Sequence, residues 1–174
     1  MEKKVTSPIV KGLVITLFLI VFGLIIYFTG QVANKSMGYI QYVILLVGII
    51  WSCISYSKQM NAQVTFGNVF AHGFKTSMVA AVLLIVYTVL AFKVLFPDMA
   101  DTIMNSTRTE LIKQGKLSSE QIQSAMDMTR KFLIPFAIGG ILIMFAILGV
   151  ISSLIGAAIA KKEPKDPFAT PTNM

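Results

Sequence analysis

The chain has 174 residues and a formal net charge of +7, and 55% of its residues are hydrophobic whereas only 13% are charged. Soluble globular chains carry about 25% charged residues. The composition therefore indicates a protein that folds in a lipid bilayer, and it excludes nucleic-acid-binding, collagen-like and disulfide-rich secreted proteins. The single cysteine, Cys53, cannot close an intrachain disulfide or build a cysteine-rich metal site.

Long uncharged stretches of the chain predict its membrane spans. Roughly 20 apolar residues are needed to cross a hydrocarbon core about 30 Å thick. Three stretches between charged residues meet this length, and a fourth, residues 76–92, does so if Lys75 and Lys93 extend towards the two head-group layers. Together they predict spans at about 9–30, 38–57, 72–93 and 133–160. The first is too long for the apolar region of a signal peptide, which has about 7–15 residues. The predicted fold class is all-α, an integral membrane four-helix bundle in a single domain, residues 1–162.

The link between the first two spans is short, so these spans are expected to form an antiparallel hairpin. Before the third span, the segment 65–68 is typical of a helix start, and Phe66, Phe70 and Phe74 repeat every fourth residue. Two interpretations remain open here. The rings form an amphipathic helix in the membrane interface, or they belong to the end of the third span and pack against its neighbours, which is the favoured interpretation.

The largest extramembrane piece is the segment 93–131, which is too short to be expected to have its own core. Ser118 and Gln121 have the spacing of a capping box, and they predict an extramembrane loop helix at about 119–131. This helix is expected to continue into the fourth span, with a kink near Pro135, because a proline inside a helix removes one hydrogen bond.

The orientation is predicted from the lysines around the first span. Lys3, Lys4 and Lys11 precede this span, whereas only Lys35 follows it closely. Lysine and arginine are enriched in cytoplasmic loops, so both termini are expected in the cytoplasm, and the lysines are expected to anchor helix ends. The proline-rich tail, residues 163–174, is predicted to be disordered.

The four-span layout resembles a bacterial family of small membrane proteins known only as a domain of unknown function. The resemblance covers most of the chain. It is carried by TFG at 65–67 with GFK at 73–75, by SSEQI at 118–122, and by GVISSLI at 149–155 with AKKE at 160–163. It implies a four-helix protein of the bacterial inner membrane, and it brings no activity, ligand or catalytic residue.

The distribution of reactive residues argues against chemistry inside the membrane. No Asp, Glu, Lys or Arg is expected inside a span, whereas ion-coupled transporters usually hold ionisable groups at that depth. His72 is expected to be solvated or interfacial beside the membrane surface, too far from the deeper pair Ser152 and Ser153 to activate a nucleophile. Cys53 is expected to pack. We therefore expect no enzyme, no catalytic residue, no cofactor and no metal site.

The fourth span carries two ladders of small residues on one broad face. The helix-packing candidates are Gly149, Ser152, Ser153, Gly156, Ala157 and Ala160. Small residues spaced by four let two helices approach closely. This face either packs within its own bundle, which is the favoured interpretation, or contacts a partner or a second copy. Gly12 and Gly23 of the first span are candidates for the opposing surface.

These features predict a non-enzymatic structural, accessory or scaffold subunit that acts by helix–helix contact. Its partners would be the lipid bilayer and a membrane protein or a second copy of the chain, with no nucleic acid. The alternative is an oligomer that acts as a passive channel or handles lipids. The polar residues that would line such a channel are Thr16, Ser52, Ser55 and Thr88.

Overall fold

The computed structural model describes residues 5–31 and 34–161, and all regular structure in this part is helical. The predicted disordered tail lies outside the described residues. The five α-helices are α1 (Pro8–Phe28), α2 (Lys35–Gln59), α3 (Phe66–Leu90), α4 (Asp98–Gln114) and α5 (Ser119–Ile159), and a π-helical turn (Ala91–Leu95) joins α3 to α4.

Four of the helical segments are long and apolar enough to cross a membrane: Pro8–Phe28, Ser36–Gln59, Phe66–Leu95 and Ser119–Ile159. The predicted all-helical fold with four spans is confirmed. Together α1, α2, α3 and α5 form the bundle, in which α2 and α3 contact each other and both of the other spans. The bundle has two ends. At one of them, which we call the termini end, α1 and α3 begin and α2 and α5 finish. We call the opposite one the loop end.

Local capping explains where the spans begin. Ser7 accepts a hydrogen bond from the backbone of Val10, and Pro8 occupies the first turn of α1, a position that a proline tolerates because its missing N–H needs no partner there. Thr65 caps α3 in the same way through the backbone of Asn68. Because α3 starts at Phe66 and continues into the span, the three phenylalanines belong to the third span. The alternative interpretation, a separate helix in the membrane interface, is wrong.

The capping box at Ser118 and Gln121 is present and begins α5. This helix has 41 residues and continues through Pro135, so the predicted loop helix and the fourth span are one element. At 1.5 Å per residue it is about 60 Å long, about twice the thickness of a hydrocarbon core. The first part of α5 therefore extends beyond the bilayer at the loop end.

The helix α4 is missing from the sequence-based prediction. It follows Pro97, carries two acidic residues in its first turn, and ends at Gly115, which has a left-handed backbone with φ of 62°. Its apolar face packs on the extension of α5 in a small cluster of Met104, Leu111, Ile122 and Met126. The expectation that this segment has no core is wrong, because two amphipathic helices share one.

Candidate functional site

The first candidate site is a layer of buried polar side chains near the termini end. Lys11 is only 1% exposed. Its Nζ donates to the backbone carbonyl of Ser52 at 3.1 Å and lies 5.9 Å from the centre of the Tyr56 ring. The expectation that Lys11 anchors a helix end at the surface is wrong, because the rotation of α1 directs this side chain between α1 and α2.

Two hydroxyl groups continue this layer from α2 to α3. The hydroxyl of Thr76 donates to the backbone carbonyl of His72 at 2.9 Å, and the hydroxyls of Ser52 and Thr76 are 3.1 Å apart. Since a hydroxyl has one hydrogen to donate, the hydroxyl of Ser52 donates to that of Thr76. Hydrogen bonding of this kind is how buried polar side chains are accommodated.

His72 is also buried, with 6% exposure. Its ring stacks on that of Tyr56, with centres 4.2 Å apart and planes inclined by 13°. The expectation that this side chain is solvated is wrong. Both Lys11 and His72 lie inside spans. The expected absence of ionisable groups from the spans, which argued against ion-coupled transport, is therefore not found.

The reactive side chains meet here but are closed off. The hydroxyl of Ser153 lies 2.7 Å from the position that a Cβ on Gly73 would take, and the Sγ of Cys53 lies closer still. Ser153 therefore lies beside Gly73, the residue that follows His72. The expectation that His72 and Ser153 lie at different depths is wrong. Cys53, Ser152 and Ser153 are fully buried.

The six helix-packing candidates lie inside the bundle. All of them are buried: Gly149, Ser152, Ser153, Gly156, Ala157 and Ala160. A Cβ on Gly149 would lie 2.5 Å from the hydroxyl of Ser77, and one on Gly156 would lie 2.7 Å from the Cβ of Cys53. The small-residue face thus points at α2 and α3 of the same chain.

The proposed opposing residues of α1 contact other helices. A Cβ on Gly12 would lie 3.1 Å from the carbonyl oxygen of Thr76 in α3, and one on Gly23 would lie 3.4 Å from the amide nitrogen of Gln41 in α2. Gly12 and Gly23 therefore do not oppose α5. The first span instead packs against α2 and α3.

The polar residues suggested for a channel do not share a surface. Thr16 and Ser52 are buried inside the bundle, and the hydroxyl of Thr16 donates to the carbonyl of Gly12 at 2.8 Å. Thr88 donates to a carbonyl of its own helix, and Ser55 accepts a hydrogen bond from the side chain of Gln59. A pore between subunits lined by these four side chains is inconsistent with their positions.

We expect Lys11→Met to leave the melting temperature of the purified protein unchanged or to raise it by a few degrees. Taking a charge out of water is costly, and replacing even a buried ion pair with hydrophobic side chains of similar volume is often neutral or stabilising by about 1–4 kcal/mol. Lys11→Ala should instead destabilise by about 2 kcal/mol, because it leaves a cavity. Thermal unfolding in detergent is the measurement. A lower melting temperature for Lys11→Met than for Lys11→Ala would contradict the burial of this side chain inside the bundle.

The second candidate site, which we call the outer cleft, lies at the loop end between α4 and the first three helices. Its volume is about 480 Å³. Its wall combines apolar side chains, such as Ile26, Met37, Met99 and Ile103, with polar ones. The polar lining residues are Tyr27, Asn34, Gln41, Tyr87, Ser106, Thr107 and Glu110.

A second space, which we call the inner cavity, lies next to the outer cleft between α2 and α5 and opens to the surface beside the exposed Tyr42 and Phe136. It has a volume of about 330 Å³, and Gln41 lines both spaces. Apart from Gln41 and Tyr42, its wall is apolar and is formed by Leu19, Leu45, Leu84, Phe136, Ala137, Gly140, Ile141, Met144 and Phe145. The loop end thus holds two adjoining spaces with mostly apolar surfaces, of which the outer cleft carries more polar side chains.

Aromatic contacts hold the start of α4 beside the outer cleft. The ring of Phe96, just before α4, lies 5.2 Å from that of Tyr27 and 5.9 Å from that of Phe28. The π-helical turn supplies the change of direction from α3, and such turns are frequent at functional sites. Sequence analysis missed this site, although Gln41 and Tyr87 stand out as polar residues in apolar spans.

The chain was compared with known proteins in three ways. No curated protein and no solved structure matches it. A family model described as a protein of unknown function, DUF4199, matches residues 11–162. Because this match covers most of the chain, the protein belongs to the DUF4199 family.

Proposed function

We propose that this protein is a non-enzymatic membrane protein that binds an amphiphilic lipid at the loop end. The observation that carries the proposal is that a cleft with seven polar side chains in its wall adjoins, at Gln41, a cavity whose wall is almost entirely apolar. An amphiphile needs this combination, because its head group requires hydrogen-bond partners and its chain requires an apolar space. The outer cleft and the inner cavity both fall within the range of about 300–1,000 Å³ that is common for ligand pockets.

The depth of the site supports a lipid rather than a water-soluble ligand. Gln41 follows the first residue of α2, Lys35, by six positions, which is about 9 Å along a helix. The outer cleft therefore lies near the level where the apolar helices meet the extramembrane hairpin of α4 and α5. A lipid can reach that level directly from the bilayer.

The burial of the reactive side chains supports a non-enzymatic role. Cys53, Ser152 and Ser153 are fully buried and His72 nearly so, and the outer cleft and inner cavity are lined by other residues. A nucleophile must have a base within reach and access to its substrate. The arrangement of these four residues gives access to neither space.

We propose that the protein lies in the bacterial inner membrane with both termini in the cytoplasm. Lys3 and Lys4, which precede the first span, support this orientation, since only Lys35 follows it closely. Ser124, an exposed residue on the extension of α5, provides a reporter position. A cysteine placed there, in a Cys53→Ala background, should react with a membrane-impermeant reagent in intact spheroplasts. Labelling only after lysis would show that the orientation is the opposite one, with both termini outside the cytoplasm.

The binding proposal is tested by purifying the protein at native expression level in mild detergent and identifying bound lipids by mass spectrometry. One lipid class should be enriched over the bulk membrane composition. Gly38→Phe should abolish this enrichment, because Gly38 lines the outer cleft and has open space beside it. Gly139→Phe is the matched control, since Gly139 also has open space but lines neither space. Equal enrichment in both variants would refute the proposal.

A second candidate function is an accessory or scaffold subunit with a membrane-protein partner or a second copy. The observation that favours it is the hairpin of α4 and α5, which exposes Ile112, Leu117 and Met128 on a part of the chain that extends beyond the bilayer. The same purification distinguishes the two functions. A stoichiometric protein companion that persists in Gly38→Phe would favour the subunit role.

A further inference from the structure

We infer that an anionic phospholipid binds on the membrane-facing side of α1 and α2 at the termini end, with its phosphate at Lys58 and one acyl chain between the two helices. This site is separate from the outer cleft and goes beyond the proposed function. Two neighbouring surface features carry the inference, an apolar groove and a recess that holds a cation. Trp51 lines both of them.

The apolar feature, which we call the α1–α2 groove, has a volume of about 430 Å³. One wall is formed by Val14, Ile15 and Phe18 of α1, and the other by residues of α2 between Val43 and Trp51. From Val43 to Trp51 the helix rises about 12 Å. One leaflet of a hydrocarbon core about 30 Å thick measures about 15 Å. The groove therefore has the length and the composition to hold one acyl chain of a single leaflet.

The second feature, which we call the Lys58 recess, continues the groove towards the termini end. Its lining residues are Trp51, Ile54, Ser55, Lys58 and Gln59. Counted from Val47 in the groove, Trp51, Ser55 and Lys58 follow at intervals of four, four and three residues. Residues at such intervals are neighbours on one face of a helix. A lipid whose chain lies in the groove therefore has its head group at the recess.

The polar side chains of the recess offer hydrogen-bond donors. Lys58 is exposed, its ammonium group carries three hydrogens, and no carboxylate among the described residues pairs with it. Ser55 accepts a hydrogen bond from Gln59 at 3.2 Å, so its own hydrogen can be donated to a ligand, and the indole of Trp51 is a donor only. A head group bound here must supply acceptors, as a phosphate does.

Gln59 positions the recess. Its amide nitrogen donates to the hydroxyl of Thr6 at 3.1 Å and to that of Ser55 at 3.2 Å, so both of its hydrogens are used. Its carbonyl oxygen accepts from the backbone of Thr6 at 2.7 Å. These bonds hold the segment before α1 against the end of α2, beside Lys58.

Charge at the termini end favours an anionic ligand. Every acidic residue among the described ranges lies in α4 or in the first part of α5, at the loop end. The exposed charged residues described on the other half of the bundle, Lys58, Lys75 and Lys161, are cations. Tryptophan and lysine are also residues that anchor spans at the membrane interface. The attraction between one lysine and an anionic lipid corresponds to about a fivefold preference.

Trp51 is the single tryptophan of the chain and reports on the site. The purified full-length protein is reconstituted in phosphatidylcholine vesicles with a small fraction of brominated phosphatidylglycerol or brominated phosphatidylcholine, since bromine on an acyl chain quenches tryptophan fluorescence at contact. Quenching should show about a fivefold preference for phosphatidylglycerol. Equal quenching by the two brominated lipids would overturn the inference. Gln41 of the outer cleft lies ten residues from Trp51, about 15 Å along α2, so this signal does not depend on the proposed function.

Lys58→Gln tests the head group and should remove the preference. The matched control is Lys161→Gln, which removes the same charge at the same end but lies outside the recess. The backbone carbonyl of Lys161 accepts a hydrogen bond from Ser57, the neighbour of Lys58, so the two lysines lie at a similar level. An equal loss of preference in both variants would assign it to the overall charge of this end and overturn the site at Lys58.

Val47→Phe tests the position of the chain. Val47 is exposed and lines the α1–α2 groove, so a larger side chain fills the groove without disturbing the interior of the bundle. The preferential quenching of Trp51 by brominated phosphatidylglycerol should decrease. Val86→Phe is the control, because Val86 is similarly exposed on α3 and does not line the groove. Unchanged preferential quenching in Val47→Phe would place the chain outside the groove.

Discussion

Gly156→Leu is expected to lower the stability of the bundle by about 3 kcal/mol or more, because inserting a side chain into a packed interior forces neighbouring atoms apart. A Cβ at this position would already lie 2.7 Å from the Cβ of Cys53 and 3.3 Å from the Cα of Ile50. The second contact is with backbone, which cannot move without displacing α2. A loss of this size should lower the melting temperature by about 10 °C for a chain of this length.

The matched control is Gly139→Leu, which adds the same side chain to the same helix where a Cβ meets no atom within 4 Å. Its melting temperature should stay within a few degrees of that of the unchanged protein. If both variants melted alike, the small-residue face of α5 would not be packed against α2. If Gly156→Leu kept its melting temperature but lost a bound partner, that face would serve contact with another chain.

The spans and their caps could be predicted from the sequence because both depend on local properties. A hydrocarbon core admits charged residues only at high cost, so uncharged stretches mark the membrane segments. The capping box at Ser118 and Gln121 involves residues three positions apart, and its pattern is visible without any tertiary structure. The same holds for Thr65, which fixes the start of α3.

The helix α4 was missed because its composition is polar and its apolar face becomes buried only against α5. Its boundaries were nevertheless present in the sequence as Pro97 and Gly115, residues that often precede and follow helices. The sequence gives weaker information where the direction of a side chain depends on how helices rotate against one another.

The inward direction of Lys11 is a case of this kind. Its position in the chain suggested an interfacial anchor, but a residue in the first turn of a helix faces lipid, water or the bundle according to the rotation of that helix. In this protein the carbonyl of Ser52 and the ring of Tyr56 receive the ammonium group. The outer cleft was unpredictable for the same reason, since Gln41 and Glu110 are brought to one wall only by the packing of α4 over the bundle.

The two ends of the bundle therefore differ in packing. At the termini end, small residues such as Gly73 and Gly156 bring the helices so close that an added Cβ would clash. At the loop end, Gly38, Gly139 and Gly140 have open space beside them. Close packing at one end can hold the spans together while the other end remains open enough to admit a ligand.

Phe96→Ala is expected to loosen α4 where it covers the outer cleft. The ring of Phe96 contacts Tyr27 and Phe28 at the end of α1, whereas α4 itself packs on α5 and the π-helical turn. Each aromatic pair contributes about 0.5–1.5 kcal/mol beyond its buried area. Losing two pairs should therefore raise hydrogen exchange in residues 98–114 about tenfold to a hundredfold, since about 1.4 kcal/mol corresponds to a factor of ten.

Hydrogen exchange detects this local opening without requiring a ligand, so the result does not depend on the proposed function. Phe132→Ala is the control, because Phe132 pairs with Phe136 in α5 and takes no part in the contact between α1 and the start of α4. Exchange in residues 98–114 that rose equally in both variants would show that the Phe96 contacts do not position α4. If α4 opens only in Phe96→Ala, bound amphiphile should also dissociate faster from that variant, because the helix covering the cleft controls its exit.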